Sequence, residues 1–290
     1  MMLFTTLIDV ASLRETTSGP AEGRPLVLDC RFDLGKPAAG REAYLTAHIP
    51  GARYADLNLD LSAPVSADSG RHPLPSPGLL AERFASFGID EDTQVVAYDD
   101  ANGSLAARAW WLLRWLGHTR VAVLDGGFKA WVAGGGAVES GGPERRAPQV
   151  KFAPQVNKDA VVTATDVLLA LRDPARLLVD ARAPERFAGT VEPLDPVAGH
   201  IPGAVNHPFS GNLTADGRFL PAAELRSRWR ESLAGTAPGN VILMCGSGVT
   251  ACHNLLAMEL AGLQGAKLYA GSWSEWIRDP ERPVAHGNRP

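Results

Sequence analysis

The sequence predicts an α/β protein built from two tandem domains, each a parallel sheet with helices on both faces. Three observations carry this reading. Short apolar runs alternate with longer amphipathic stretches, the pattern of strands joined by crossover helices. The order of these runs repeats along the chain at a nearly constant offset. The length, 290 residues, suits about two domains.

The elements follow in order. Residues 1–24 read as a short apolar strand, a helix seed from Val10 to Arg14, and a polar loop. Leu26-Val27-Leu28 is a buried-strand pattern ending at Asp29. From 57 to 78 the chain is rich in Pro, Ser and Gly and carries Arg71-His72-Pro73-Leu74-Pro75, a loop composition. A helix is predicted from Gly78 to Phe87, and a strand from Gln94 to Tyr98 runs into Asp99. A long helix bearing Trp110, Trp111 and Trp115 comes next. Val121 to Leu124 is a further strand, followed by Gly126-Gly127-Phe128-Lys129-Ala130-Trp131.

The second half repeats this order. Asp180 follows Asp29 by 151 residues, His200 follows His48 by 152, Cys245 follows Asp99 by 146, and Trp276 follows Trp131 by 145. Four blocks in register point to a duplicated domain. The drop in offset places about six extra residues of the first half between its second and third blocks, where Arg71-His72-Pro73 lies. Gly134 to Val156 is rich in Gly and Pro and makes a poor helix or strand. The expected boundaries are a first domain at 1–138, a linker at 139–157 and a second domain at 158–290.

In such sheets ligands sit at the carboxyl ends of the strands. Asp99, Asp180 and Cys245 all end or directly follow strands. Cys245 opens the stretch Cys245-Gly246-Ser247-Gly248-Val249-Thr250, between an apolar run (Val241 to Met244) and a helical pattern (Ala251 to Leu260). Glycine permits positive φ, so Gly246 and Gly248 let the loop turn its amides inward around an anion. The helix start adds its positive dipole end, and Thr250 would cap it. This is a recipe for a stabilised thiolate, the nucleophilic form of cysteine. The competing reading is a cysteine simply buried at a strand end. The duplicate position, Asp99, cannot act as a sulfur nucleophile, so chemistry is expected in the second half and scaffolding in the first.

Arg186 suits a substrate carboxylate, which a guanidinium can grip in bidentate fashion. His72 would exchange a proton near neutral pH, and Ser247 would donate a hydrogen bond or relay a proton. Each could equally be a surface residue. Asp29 and Asp180, which precede Arg31 and Arg182, are expected to be structural. So are His48 and His200 before Ile-Pro-Gly, Trp131, Trp276 and Cys252.

Composition removes other classes. A net charge of −4 without a basic stripe argues against nucleic acid; the one small cluster, Arg145-Arg146, sits among prolines and glycines. No apolar run reaches 18 residues, which argues against a transmembrane span. The N-terminus lacks the pattern of a signal peptide. Three cysteines, Cys30, Cys245 and Cys252, offer neither a disulfide framework nor a zinc spacing. A reducing compartment, the cytoplasm by default, is expected, with no metal and no cofactor.

Tandem halves with His-Ile-Pro-Gly-Ala, a Gly-x-x-x-x-Trp block closing each half, and Cys-Gly-Ser-Gly-Val-Thr only in the second resemble the two-domain rhodanese-like sulfurtransferases. The resemblance spans nearly the whole chain. It implies a sulfur carried on Cys245 as a persulfide, with Gly246, Gly248, Val249 and Thr250 forming the substrate cradle. Arg186, in Arg186-Phe187-Ala188-Gly189, matches the family's substrate-binding arginine. His72 matches a first-domain histidine facing the catalytic cysteine, and Ser247 a loop serine assisting proton transfer.

In this family the six-residue loop tracks the sulfur donor. Thiosulfate enzymes carry Cys-Arg-Lys-Gly-Val-Thr, and 3-mercaptopyruvate enzymes the form found at 245–250. The physical reason is charge: thiosulfate brings two negative charges, which two loop cations would attract, and this loop has none. The family's frequent second arginine, in Pro-Glu-Pro-Arg, is absent; Val191-Glu192-Pro193-Leu194-Asp195-Pro196 stands there, and an aspartate seen in some members near position 58 is Asn58. The resemblance thus implies 3-mercaptopyruvate as donor, thiosulfate as the alternative, and a thiol, a thioredoxin-like protein or cyanide as acceptor. A cysteine phosphatase would need an arginine six residues after the cysteine, where Ala251 stands. A non-catalytic persulfide carrier is the remaining alternative.

Overall fold

In the computed structural model, residues 3–19, 23–142 and 150–287 are described. The Arg145-Arg146 cluster lies outside them. The chain forms two compact units. The first comprises residues 1–63, 74–157 and 216–218; the second comprises 64–73, 158–215 and 219–290. The Pro-rich segment 64–73 therefore belongs to the second unit, although it lies in the first half of the sequence.

The first unit holds β1 (Leu7–Ile8), α1 (Val10–Ser18), β2 (Leu26–Asp29), α2 (Ala39–Thr46), β3 (Arg53–Tyr54), α3 (Pro77–Ser86), β4 (Val95–Tyr98), α4 (Ala106–Trp115), β5 (Val121–Leu124) and α5 (Gly127–Ala133). Its five strands are parallel, in the order β1-β5-β4-β2-β3. The second unit holds β6 (Val161–Val162), α6 (Ala164–Ala170), β7 (Leu177–Asp180), α7 (Pro184–Phe187), β8 (Val205–Asn206), α8 (Ala222–Leu233), β9 (Val241–Met244), α9 (Thr250–Leu260), β10 (Lys267–Tyr269) and α10 (Ser272–Trp276). Its order, β6-β10-β9-β7-β8, is the same one, again parallel. No described helix is long and apolar enough to cross a membrane.

The central strands are apolar along their whole length because helices cover both faces. β4, β5 and β9 are buried at every residue. The helix after each central strand is buried nearly all round as well: Ala106 to Leu113 in α4, Ala251 to Met258 in α9. α3 starts one residue before the predicted Gly78, since Ser76 caps it by accepting the Leu79 N–H and Pro77 preorganises its first turn.

Register makes the duplication concrete. Asp29 sits opposite Tyr98, and Asp180 opposite Met244. The residues following these partners, Asp99 and Cys245, thus occupy the same place in the two sheets. Asp29 grips Arg31 at 2.6 Å and Asp180 grips Arg182 at 2.7 Å, and both carboxylates also take the arginine's own N–H. His48 stacks on Tyr44 and His200 on Phe187, with ring centroids 4.0 and 3.9 Å apart. Trp131 and Trp276 bond the carbonyls of Ala137 and Pro283 through their indole N–H groups. All of these are structural contacts, as the repeat predicts. The chain from 150 to 157 pairs with the first unit, Gln155 N–H donating to Leu116 and Asn157 N–H to Trp115.

Candidate active site

Cys245 immediately follows β9, and the loop to α9 turns around its sulfur. Gly248, at φ +76°, donates its N–H to Cys245 Sγ at 3.1 Å. The conformation needs glycine twice over: φ is left-handed, and a Cβ would drive into the Ala270 carbonyl. α9 begins with Thr250 as its first helical residue, and Val249 is the N-cap without a side-chain bond. Thr250 therefore does not cap the helix through its hydroxyl; the backbone has already turned one residue earlier. The first amides of α9 lack intrahelical acceptors by geometry. Cys252, on the next turn, is fully buried and bonds the Gly248 carbonyl at 3.3 Å, a packing position as expected.

The loop is fastened from beneath by α10. Ser272 Oγ accepts the Cys245 N–H at 3.1 Å and donates to the Tyr269 carbonyl. The N–H groups of Trp273 and Ser274 donate to the Cys245 and Gly246 carbonyls. Ser272 itself has φ +54°, and the matching Gly127 has φ +58°. A non-glycine residue in this region costs about 1–2 kcal/mol; here the bond that the Ser272 hydroxyl accepts from the Cys245 N–H offsets it. This Gly-to-Ser difference between the two halves was readable in the sequence, yet its meaning depends on the positive φ.

His72 is buried, and its Nδ1 lies 2.8 Å from Ser247 Oγ. The family pattern makes this histidine a first-domain residue; by packing, it is part of the second unit. Ser247, two residues from Cys245, is the group it meets.

Arg186 follows Pro184 on α7. Its Nε and Nη2 bond the Glu192 carboxylate, and Nη2 also reaches Asp195 Oδ2 at 3.2 Å. Nη1 has no protein partner among the described residues. Arg71, which the sequence reading did not single out, is brought alongside. Its Nη1 bonds Asp195 Oδ1 at 2.7 Å, its N–H donates to Ser274 Oγ, and its buried Nε has no partner among the described residues. Both guanidinium groups converge on Gly246: a Cβ there would stand 3.3 Å from Arg71 Nη2 and 3.5 Å from Arg186 Nη1. The absence of cations from the loop is thus matched by two cations beside it. Arg71 was missed because nothing local links it to Asp195, 124 residues away. Its adjacency to His72 in the extra segment was the one available signal.

The first unit's counterpart is closed. Asp99 is fully buried, and its two oxygens accept four backbone N–H bonds, from Ala101 and Gly103 on one and Leu105 and Ala106 on the other, at 2.7–2.9 Å. Burial pushes the carboxyl's pKa up, and the amides oppose that shift.

A family model described as rhodanese-like domain matches residues 12–134 and again 163–279. The chain is 52% identical over 265 residues to a Pseudomonas aeruginosa protein named "Probable 3-mercaptopyruvate sulfurtransferase", covering 91% of this chain and 93% of that one. It is 36% identical over 296 residues to the thiosulfate sulfurtransferase of Rattus norvegicus, covering 99% and 97%. Among solved structures it superposes on the 3-mercaptopyruvate sulfurtransferase from Leishmania major with a TM-score of 0.83, at 30% identity, covering 95% of this chain and 76% of that one.

Proposed function

The chain belongs to the rhodanese-like family, with two such domains in tandem, and on that premise we propose that it is a sulfurtransferase using 3-mercaptopyruvate as sulfur donor and Cys245 as the sulfur carrier. The observation that carries the reading is the convergence of Arg71 and Arg186 beside a cation-free Cys-Gly-Ser-Gly loop. Two free guanidinium arms on one side of Cys245 fit a single carboxylate next to a keto group.

In the first half-reaction the donor carboxylate rests between Arg71 and Arg186, which brings its sulfur to Cys245. The Cys245 thiolate attacks that sulfur. A sulfur–sulfur bond forms, the donor's carbon–sulfur bond breaks, and the electron pair goes to the carbon as the enolate of pyruvate. A proton reaches that carbon through the His72–Ser247 pair, and pyruvate leaves. Cys245 then holds a persulfide, with the Gly248 N–H stabilising the inner sulfur. In the second half-reaction an acceptor thiolate, a thioredoxin-like protein or cyanide attacks the outer sulfur and restores the Cys245 thiolate. The kinetics are ping-pong. Three free cysteines, all buried, fit a reducing compartment such as the cytoplasm. The first domain (1–138) serves as scaffold, with 139–157 as linker and 158–290 as the catalytic domain, to which residues 64–73 add His72 and Arg71.

Thiosulfate is the second reading, favoured by the rat thiosulfate sulfurtransferase at 36% identity. Steady-state assays of both donors on one preparation separate the two: kcat/KM is expected to be higher for 3-mercaptopyruvate, and a much higher value for thiosulfate would overturn the donor assignment. Cys245→Ser is expected to fall to the uncatalysed rate with both donors and to lose the one-sulfur mass gain after donor exposure. Sulfur transfer surviving in that variant would remove the mechanism.

A further inference from the structure

Two arginines beside the loop would attract a doubly charged donor as readily as loop cations do, unless something balances them. The balancing group is visible. The Asp195 side chain, only 4% exposed, gives one oxygen to Arg71 and the other to Arg186. Glu192, 3% exposed, takes Arg186 Nε, shares Arg186 Nη2 with Asp195, and reaches Arg182 Nη1 at 3.4 Å. Around the arginine pair the cations Arg71, Arg182 and Arg186 thus face the carboxylates Asp180, Glu192 and Asp195, and the charges cancel. Among the described residues, Asp195 alone bonds both donor-facing guanidinium groups.

From this arrangement we infer that Asp195 is a specificity-determining residue for the sulfur donor. The inference rests on the donor site proposed above. Asp195 does two things at once. It fixes Arg71 and Arg186 in one geometry by bridging them, and it removes one unit of positive charge from the place a donor occupies. What is left holds a singly charged carboxylate by its hydrogen bonds and gives little added attraction to a second negative charge. Asp195 acts through the two arginines, so it is a positioning residue.

The test is Asp195→Asn, which keeps the shape and removes the charge, with Asp195→Glu as the charge-retaining control and Asp195→Ser as a smaller replacement should the amide disturb folding. One added positive unit acts once on a monoanion and twice on a dianion, so kcat/KM for thiosulfate relative to 3-mercaptopyruvate is expected to rise about tenfold in Asp195→Asn. The change should lie in KM, with kcat for each donor moving by less than about twofold, and should shrink as ionic strength rises. Asp195→Glu should retain the wild-type ratio.

A binding arm needs no turnover. Dissociation constants of the full chain for sulfate and for pyruvate, measured by calorimetry, should show the sulfate-to-pyruvate affinity ratio rising by the same factor in the Asn or Ser variant. An unchanged or lowered ratio in a folded variant overturns the inference. A wild-type protein that turns over neither donor would instead remove the proposed function, while the sulfate and pyruvate affinities still decide the role of Asp195.

Discussion

Arg71 and Arg186 divide a task that the loop of this chain leaves undone. Each has one guanidinium arm committed to Asp195 and another free toward Gly246. A hydrogen bond to a charged group contributes about 1.5–3 kcal/mol, so Arg71→Ala or Arg186→Ala should raise KM for 3-mercaptopyruvate about 10- to 100-fold. The double variant should lose less than the product of the two, because the arginines share Asp195 and are within coupling distance. Steady-state kinetics on the three variants check this; independent, fully multiplicative losses would mean that the arginines do not act on one carboxylate. Arg186 was legible in the sequence through the motif around it. Arg71 was not, because its role depends on where a 10-residue Pro-rich segment packs, and such a segment has no periodicity to reveal its destination.

The strand–loop–helix from β9 to α9 gains its shape from a few backbone positions. Gly248 combines left-handed φ with an N–H aimed at the sulfur and no room for a Cβ. Gly248→Ala should therefore destabilise the protein by at least about 2 kcal/mol and depress sulfur transfer as well. Differential thermal unfolding would register the first effect; an alanine variant as stable as the parent would show that the loop relaxes freely. At this scale the sequence was most informative. Strand ends at Asp29, Asp180 and Met244, the glycine loop and the outgoing helix follow from apolar runs and glycine chemistry. What it could not disclose was the support under the loop. Ser272 and Ser274 hold Cys245 and Arg71 through hydroxyl groups, and nothing in a serine's neighbours along the chain distinguishes such a role from a solvated turn.

Across the whole molecule, each unit encloses a histidine that burial keeps neutral. His118 in the first unit and His207 in the second both have their pKa lowered chiefly by loss of hydration. His207 is further locked between Ser232, Asn212 and the ring of Trp229. A histidine whose folded pKa is depressed takes up its proton more readily in the unfolded chain. Stability from this source is present above about pH 6.5 and declines as the pH falls below it. Melting temperatures recorded from pH 7.5 down to pH 5 should fall, and the slope should flatten in His118→Gln and in His207→Gln; an unaltered slope in both would place the acid sensitivity elsewhere. The two units differ more deeply in what fills their matching cradles. In the first, Asp99 is an occupant that can never leave, since it is part of the chain. In the second the matching place holds the Cys245 sulfur, which accepts the Gly248 N–H and, on the proposed function, carries a second sulfur beyond it. On the proposed function, the same place in two sheets thus serves opposite ends: in one a fixed carboxyl group closes the loop for good, in the other a reactive sulfur keeps it open to exchange.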